Sequence, residues 1–218
     1  MSTRERLQAN DLRFLAVAET LRPDEWAAQS LCAEWTNHDV LAHLVVGYSC
    51  ALGTLAAAVG RHRGSFNPAN TALARTLASS RTTAELLADF ARLIAQPEGI
   101  GRYFPRRLLL GDHVTHELDI LLAVDREPVI APDALVDVLN TQVSLPNPFV
   151  PAFRNSRGLH LVATDAEWTH GAGPVVQGRA ADLVSVLGDR PNALTALRGD
   201  GLATLSARVL SRQTRRAG

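Results

Sequence analysis

Residues 40–60 contain no Asp, Glu, Arg or Lys, and over these 21 positions the one side chain that titrates near neutral pH is His43. A run of that length could cross a bilayer, which needs about 20 apolar residues. It holds three Gly, five Ala, Ser49, Cys50, Thr54 and His43, however, and no second such run exists in the chain. It is read instead as a helix that is apolar nearly all round, which is what the centre of a helical bundle requires. Just upstream, Thr36-Asn37-His38-Asp39 has the form of a capping box with Asp in place of Glu, so the helix starts there. On this helix His43 shares a face with Val40, Leu44 and Gly47, and Gly47 leaves room beside the imidazole.

Other apolar repeats predict helices over residues 6–21, 71–77, 83–95, 105–124 and 132–145, with 64–70 a loop around Pro68. Trp26 and Trp35 are expected to anchor the short segment between the first two helices. Between 146 and 158 the composition changes: Pro146, Pro148, Pro151 and Gly158 fall within thirteen residues. Beyond that break, 159–164, 167–169 and 175–177 read as short strands, 179–187 as a helix, and 202–209 as a strand or helix. The expected fold class is α+β, with a helical domain over 1–146 and a small α+β domain over 147–218.

Composition removes several function classes. The 22 basic residues are all Arg, balanced by 22 acidic ones. Without Lys the chain cannot form a Schiff base, so pyridoxal phosphate and amine aldol chemistry are excluded. The phosphate-binding Lys of P-loop enzymes and the ATP-positioning Lys of kinases are missing too. A balanced charge gives no field for nucleic acid or an anionic membrane, so neither is an expected partner. Cys32 and Cys50 form neither a C-x-x-C pair nor a disulfide framework, and Met1–Asn10 lacks an apolar signal core. A cytoplasmic protein with reduced thiols is expected.

The chemistry concentrates on the helix expected over 105–124. Leu109, Asp112, His116, Asp119 and Ala123 fall on one stripe at steps of three or four. Apolar residues begin and end the stripe, so its middle should face inward, where ionisable groups must be paired, metal-bound or neutralised. Three His have an acid four positions before them (Glu34/His38, Asp39/His43, Asp112/His116). Chance alone gives roughly 0.7 such pairs, and only the last lies wholly within an apolar-faced helix. Asp112 and His116 with His43 would make a three-ligand site with an open position, the layout of catalytic zinc and one that also suits Fe(II), Ni(II) or Mn(II). Asp119 is placed to support a ligand. The competing reading is a buried His–Asp network tying two helices, and His113 with Glu117 offers an alternative pair. His38 and His62 are expected in solvent at helix ends.

Two segments carry a family resemblance. Cys32-Ala-Glu-Trp-Thr-Asn-His-Asp-Val-Leu-Ala-His43-Leu resembles the signature C-x-x-W-(S/T)-x-x-D-(V/L)-x-x-H-L of the mycothiol-dependent maleylpyruvate isomerase-like family, within the DinB-like superfamily of helical-bundle metalloproteins. Asp112-His-Val-Thr-His116-Glu-Leu-Asp119 resembles its second signature, with Asp where the characterised isomerase pattern has Glu. The resemblance extends to a sterol-carrier-like C-terminal domain, carried by Gly178-Arg179-Ala-Ala-Asp182 and Leu187-Gly188-Asp-Arg190. It implies a DinB-like four-helix bundle with His43, Asp112 and His116 as zinc ligands. It also implies mycothiol as a thiol cosubstrate that attacks an electrophilic small molecule from the metal, in an isomerase or S-transferase. Arg179 and Arg190 are the candidates for holding a substrate carboxylate. A binding protein for an apolar ligand and a metal-dependent hydrolase are the competing functions, and the chain could be monomer or homodimer. The Arg-for-Lys and Ala usage resembles high-GC coding bias, which fits an actinobacterial source.

Overall fold

The computed structural model describes residues 1–147 and 150–217, with side chains described up to residue 212. The chain divides into two compact units, Met1–Glu127 and Pro128–Gly218. The division falls at 127/128 rather than at the expected 146/147. The helix expected over 132–145 packs against elements of the second unit, which the Pro-rich composition break at 146–158 does not reveal.

In the first unit the helices are α1 (Thr3–Ala18), α2 (Pro23–Ala27), α3 (Asn37–Ser49), α4 (Leu52–Arg61), α5 (Phe66–Ser80), α6 (Thr83–Ala95) and α7 (Arg106–Leu121). Three of the longer ones begin with capping boxes, Ser2/Glu5, Thr36/Asp39 and Thr82/Glu85, each satisfying backbone donors that helix starts leave free. α1, α3, α6 and α7 form the bundle: α1 packs on α6 and α7, and α3 packs on the same two. α5 lies against the outer side of α3 and carries α4. The core comprises Phe14, Leu41, Leu44, Leu86, Phe90, Leu93, Leu110, Val114 and Leu118, all but solvent-free.

The apolar run over 40–60 is two helices, not one. It breaks at Cys50, whose φ of −60° and ψ of 127° are extended. The turn Gly99–Arg102 docks there: the Glu98 N–H donates to the Tyr48 carbonyl (3.0 Å) and the Ile100 N–H to the Cys50 carbonyl (2.8 Å). A Cβ at Gly101 would sit 2.6 Å from the Tyr48 carbonyl oxygen, so only glycine permits this approach. The run is thereby divided between a buried α3 and a largely exposed α4. Among the described residues no helix is long and apolar enough to cross a membrane.

α5 starts at Phe66, five residues earlier than the repeats indicate. Pro68 falls in its first turn, where no backbone donor is lost. At the far end of α7, Asp125 takes a left-handed φ of 54° and turns Arg126 back toward α2. Arg126 donates from Nε and Nη2 to the two carboxylate oxygens of Glu25, both at 2.9 Å.

The second unit holds α8 (Pro132–Ser144), α9 (Ala152–Ser156), β1 (His160–Ala163), β2 (Thr169–His170), β3 (Val175–Gly178), α10 (Ala180–Leu187) and α11 (Leu202–Ala217). Its sheet has the order β2-β1-β3. β1 and β2 are antiparallel with Leu161 opposite His170, and β1 and β3 are parallel with Leu161 opposite Val176. α8 and β3 pack on α10. The architecture is α+β, as the sequence predicts.

The Arg126 hydrogen bonds hold the Glu25 carboxyl down to about 2 from its ordinary 4.5. A depressed carboxyl stabilises the fold above the unfolded value and loses that contribution as pH falls from about 4.5 through about 2. Arg126→Ala should flatten the fall in stability over that window, measured as urea midpoints across pH.

Candidate metal centre

α7 positions polar groups on two faces. The stripe Asp112, His116, Asp119 faces α3, while His113 and Glu117 face α1. On the α3 side, His43 and His116 are 7% and 8% exposed and meet across the Asp112 carboxylate. His43 Nε2 lies 3.2 Å from Asp112 Oδ2, and His116 Nε2 lies 3.6 Å from Oδ1. Donor atoms of the three residues all fall within 4.8 Å of one another. The structure thus brings His43, Asp112 and His116 together, from two helices some 70 residues apart.

The opposite edge of each imidazole is already engaged. His43 Nδ1 is 3.2 Å from Asn70 Oδ1 on α5, and His116 Nδ1 is 3.0 Å from Asp119 Oδ2. Both partners are acceptors; with the proton of each ring on Nδ1, the lone pair of Nε2 is turned to Asp112. Two nitrogen lone pairs and a carboxylate then converge with no proton between them. Lone pairs so arranged repel unless a cation or a proton sits among them. This donor set fits a divalent metal, with Asn70 and Asp119 as the partners that fix ligand tautomer and ring orientation.

Burial raises the Asp112 carboxyl, but the positive charge that His43 and His116 carry when protonated outweighs it, and the group is held below the usual carboxylate range. Burial pushes the His116 imidazole down, toward the neutral form that binds metal. The Asp112 side chain is 38% exposed, so the site opens to solvent on that edge while the imidazoles are closed in. A Cβ at Gly47, one turn beyond His43, would meet nothing within 4 Å, as the glycine there suggests.

The alternative pair does not join the site. His113 Nδ1 lies 2.9 Å from Asp11 Oδ2, which also accepts from Tyr48 Oη (2.5 Å). Glu117 accepts from Arg13 Nη2 (2.5 Å). Burial pushes the Glu117 carboxyl up, and its Oε1 and His113 Nε2 have no hydrogen-bond partner among the described residues. These groups clamp α1 to α7. His38 also departs from expectation. It is not free in solvent but bridges Thr83 Oγ1 (3.0 Å) and the Ala78 carbonyl (3.1 Å), tying the start of α3 to α5 and α6. Cys50 is buried at the end of α3, which raises its thiol pKa away from nucleophilic use. Arg179 and Arg190 belong to the second unit: Arg179 precedes α10 and pairs with Asp165 (3.6 Å), and Arg190 donates to the Gly188 carbonyl.

Residues 7–99 match the family model described as the mycothiol maleylpyruvate isomerase N-terminal domain. The match covers somewhat less than half of the chain and is a similarity of that part. The match spans Trp35, His43 and Asn70 and ends before α7, so it does not include Asp112 or His116. The fold of the chain is that of the crystal structure of the mycothiol-dependent maleylpyruvate isomerase, with 16% identity, a TM-score of 0.55, and coverage of 92% of this chain and 93% of that one. A histidine-to-alanine mutant of that enzyme matches over the same shares at 15% identity and a TM-score of 0.54. A search of curated proteins gives no match.

Asn70 is the site residue the sequence reading misses, because 64–70 reads as a loop around Pro68. The signal was available in Ser65 as a helix-start residue with Pro68 three positions on. Asn70→Ala and Asp119→Ala are each expected to weaken zinc binding by about 10–100-fold, read by competition against a chromophoric chelator.

Proposed function

We propose that the protein is a metal-dependent enzyme that uses mycothiol as cosubstrate, an isomerase or S-transferase acting on an electrophilic small molecule. The observation that carries this reading is the convergence of His43 Nε2, His116 Nε2 and the Asp112 carboxylate with both Nδ1 atoms already engaged. The family match of residues 7–99 and the likeness to a mycothiol-dependent maleylpyruvate isomerase support the choice of thiol.

His43, Asp112 and His116 would hold the ion, for which zinc is the first candidate. Zinc held by three protein ligands keeps a position open and favours the thiolate form of a bound thiol. Asp112 would supply the one negative charge of the ligand set, and Asn70 and Asp119, accepting at Nδ1, would leave Nε2 of His43 and His116 for the ion. The solvent-facing edge of Asp112 leaves a path for thiol and substrate, while the buried imidazoles exclude water from the opposite side.

In the isomerase form, the thiolate sulfur bonds to one carbon of a cis double bond as its π pair moves to the neighbouring acceptor. Rotation about the resulting single bond and loss of the thiolate give the trans alkene, with no net oxidation. In the transferase form the carbon–sulfur bond is kept, the enolate carbon takes a proton from solvent, and the neutral thioether leaves.

Metal analysis of purified protein should give about one equivalent of a divalent ion, and His43→Ala should bring it below about a tenth. Turnover of a cis-enedioate substrate should require added mycothiol. A metal-free wild-type protein overturns the enzyme reading in favour of ligand binding. Metal-dependent but thiol-independent turnover overturns the thiol reading in favour of hydrolysis by bound water.

A further inference from the structure

We infer that Trp35 is a positioning residue for the metal centre, forming with its indole face the wall against which both ligand imidazoles are set. The inference rests on the metal reading above. Trp35 is 5% exposed, and its ring centroid lies 4.8 Å from that of His43, with planes 31° apart, and 5.6 Å from that of His116, with planes 44° apart. The two imidazoles lie 4.6 Å from each other at 72°. Each imidazole is therefore held by three things: its Nδ1 acceptor, the other imidazole and the indole. The hydrogen bond fixes one direction in the ring plane, and the indole face opposes rotation out of it.

The indole is itself rigidly mounted. The Trp35 carbonyl accepts from the Ser30 N–H (3.0 Å), Ser30 Oγ (2.7 Å) and Gln29 Nε2 (2.7 Å), and its N–H donates to the Cys32 carbonyl (2.9 Å). The Leu31 N–H donates to the Asp119 carbonyl (3.1 Å), so this loop is fastened to the same turn of α7 that orients His116. Thr36, the next residue, caps α3 and so sets the phase of His43.

The choice of Trp has an electrostatic side. Imidazoles bound to a divalent ion take on part of its positive charge, and an indole face is the most electron-rich among side chains. The attraction is greater with the ion bound than without it, so it adds to metal affinity and not only to folding. Trp35 Nε1 is buried with no acceptor among the described residues, a burden that Phe in the same place would not carry. A residue serving only as an apolar plug gains nothing from that nitrogen.

The test compares wild-type, Trp35→Phe and Trp35→Leu proteins, each stripped of metal and titrated with Co2+. Affinity, the Co2+ visible absorption band and the unfolding temperature of the metal-free form are followed together. Trp35→Leu should lower Co2+ affinity about ten-fold and shift the band. Trp35→Phe, which keeps an aromatic wall, should lower affinity less, with a metal-free unfolding temperature no lower than that of wild type. If the Leu variant does not fold, the Phe variant alone decides. Variants that bind Co2+ with wild-type affinity and band, or whose affinity falls only as their metal-free form unfolds, overturn the role of Trp35 and leave the metal reading standing. A wild-type protein that takes up no Co2+ overturns the metal reading and this inference with it.

Discussion

α7 has to bury polar groups on two faces at once, and the arrangement of the first unit follows from how each is satisfied. Its sixteen residues include Asp112, His113, His116, Glu117 and Asp119, interleaved with buried Leu109, Leu110, Val114 and Leu118. A buried ionised group without a partner costs several kcal/mol, comparable to the whole stability of a domain. Partners therefore come from every side: Asp11 and Arg13 from α1, His43 from α3, and the Asp119 pairing from within α7. Sliding α1 or α3 by one turn along α7 would separate at least one of these pairs, so polar pairing fixes a register that interchangeable Leu contacts would leave loose.

The two faces solve the problem differently, and the difference separates a structural network from a receptive site. Toward α1, a proton or a fixed positive charge sits in each principal contact. Tyr48 donates to Asp11, the imidazole of His113 meets the same carboxylate, and the Arg13 guanidinium meets Glu117. Burial lowers the His113 pKa, but Asp11, together with Asp112 and Glu117, outweighs it and raises the value. Toward α3, Asn70 and Asp119 offer acceptors to Nδ1 of the two imidazoles, and both Nε2 atoms face a carboxylate. Similar residue types on one helix thus give a closed clamp on one side and an electron-rich corner on the other. Exposure divides the same way: the Asp11 and Glu117 side chains are sealed, whereas Asp112 reaches solvent.

Much of this was legible in the sequence where a residue's role depends on local spacing. The start of α3 at a Thr36/Asp39 capping box, the inward stripe of α7, the start of α6 and the α+β class follow from periodicity and caps that act within a few residues. What spacing could not give depends on contacts distant in sequence. Nothing local distinguishes Cys50 as the end of a helix; the break arises because 98–100 hydrogen-bond to the last carbonyls of α3. Asn70 is a polar residue near a proline until α5 is seen to pass His43. The choice between the 112/116 and 113/117 pairs was open for the same reason. Both are i, i+4 pairs on one helix, and only the neighbours of each face, α3 or α1, separate them. The expected boundary at 146/147 follows a composition break, which marks irregular chain, whereas the compact units that meet at 127/128 are defined by what packs together.

The second segment differs from the isomerase signature it resembles by Asp in place of Glu at position 112. A side chain shorter by one methylene brings its oxygens to both imidazoles only if the helices stand close enough. Here Oδ2 and Oδ1 face His43 and His116 separately, at 3.2 and 3.6 Å. The shorter carboxylate therefore still completes the donor set. A shared fold at 16% identity fixes the bundle but not the substrate. On the proposed reading, specificity would be set by the groups around the open position, and a change there would shift which electrophile fits without disturbing Asn70, Asp119 or Trp35.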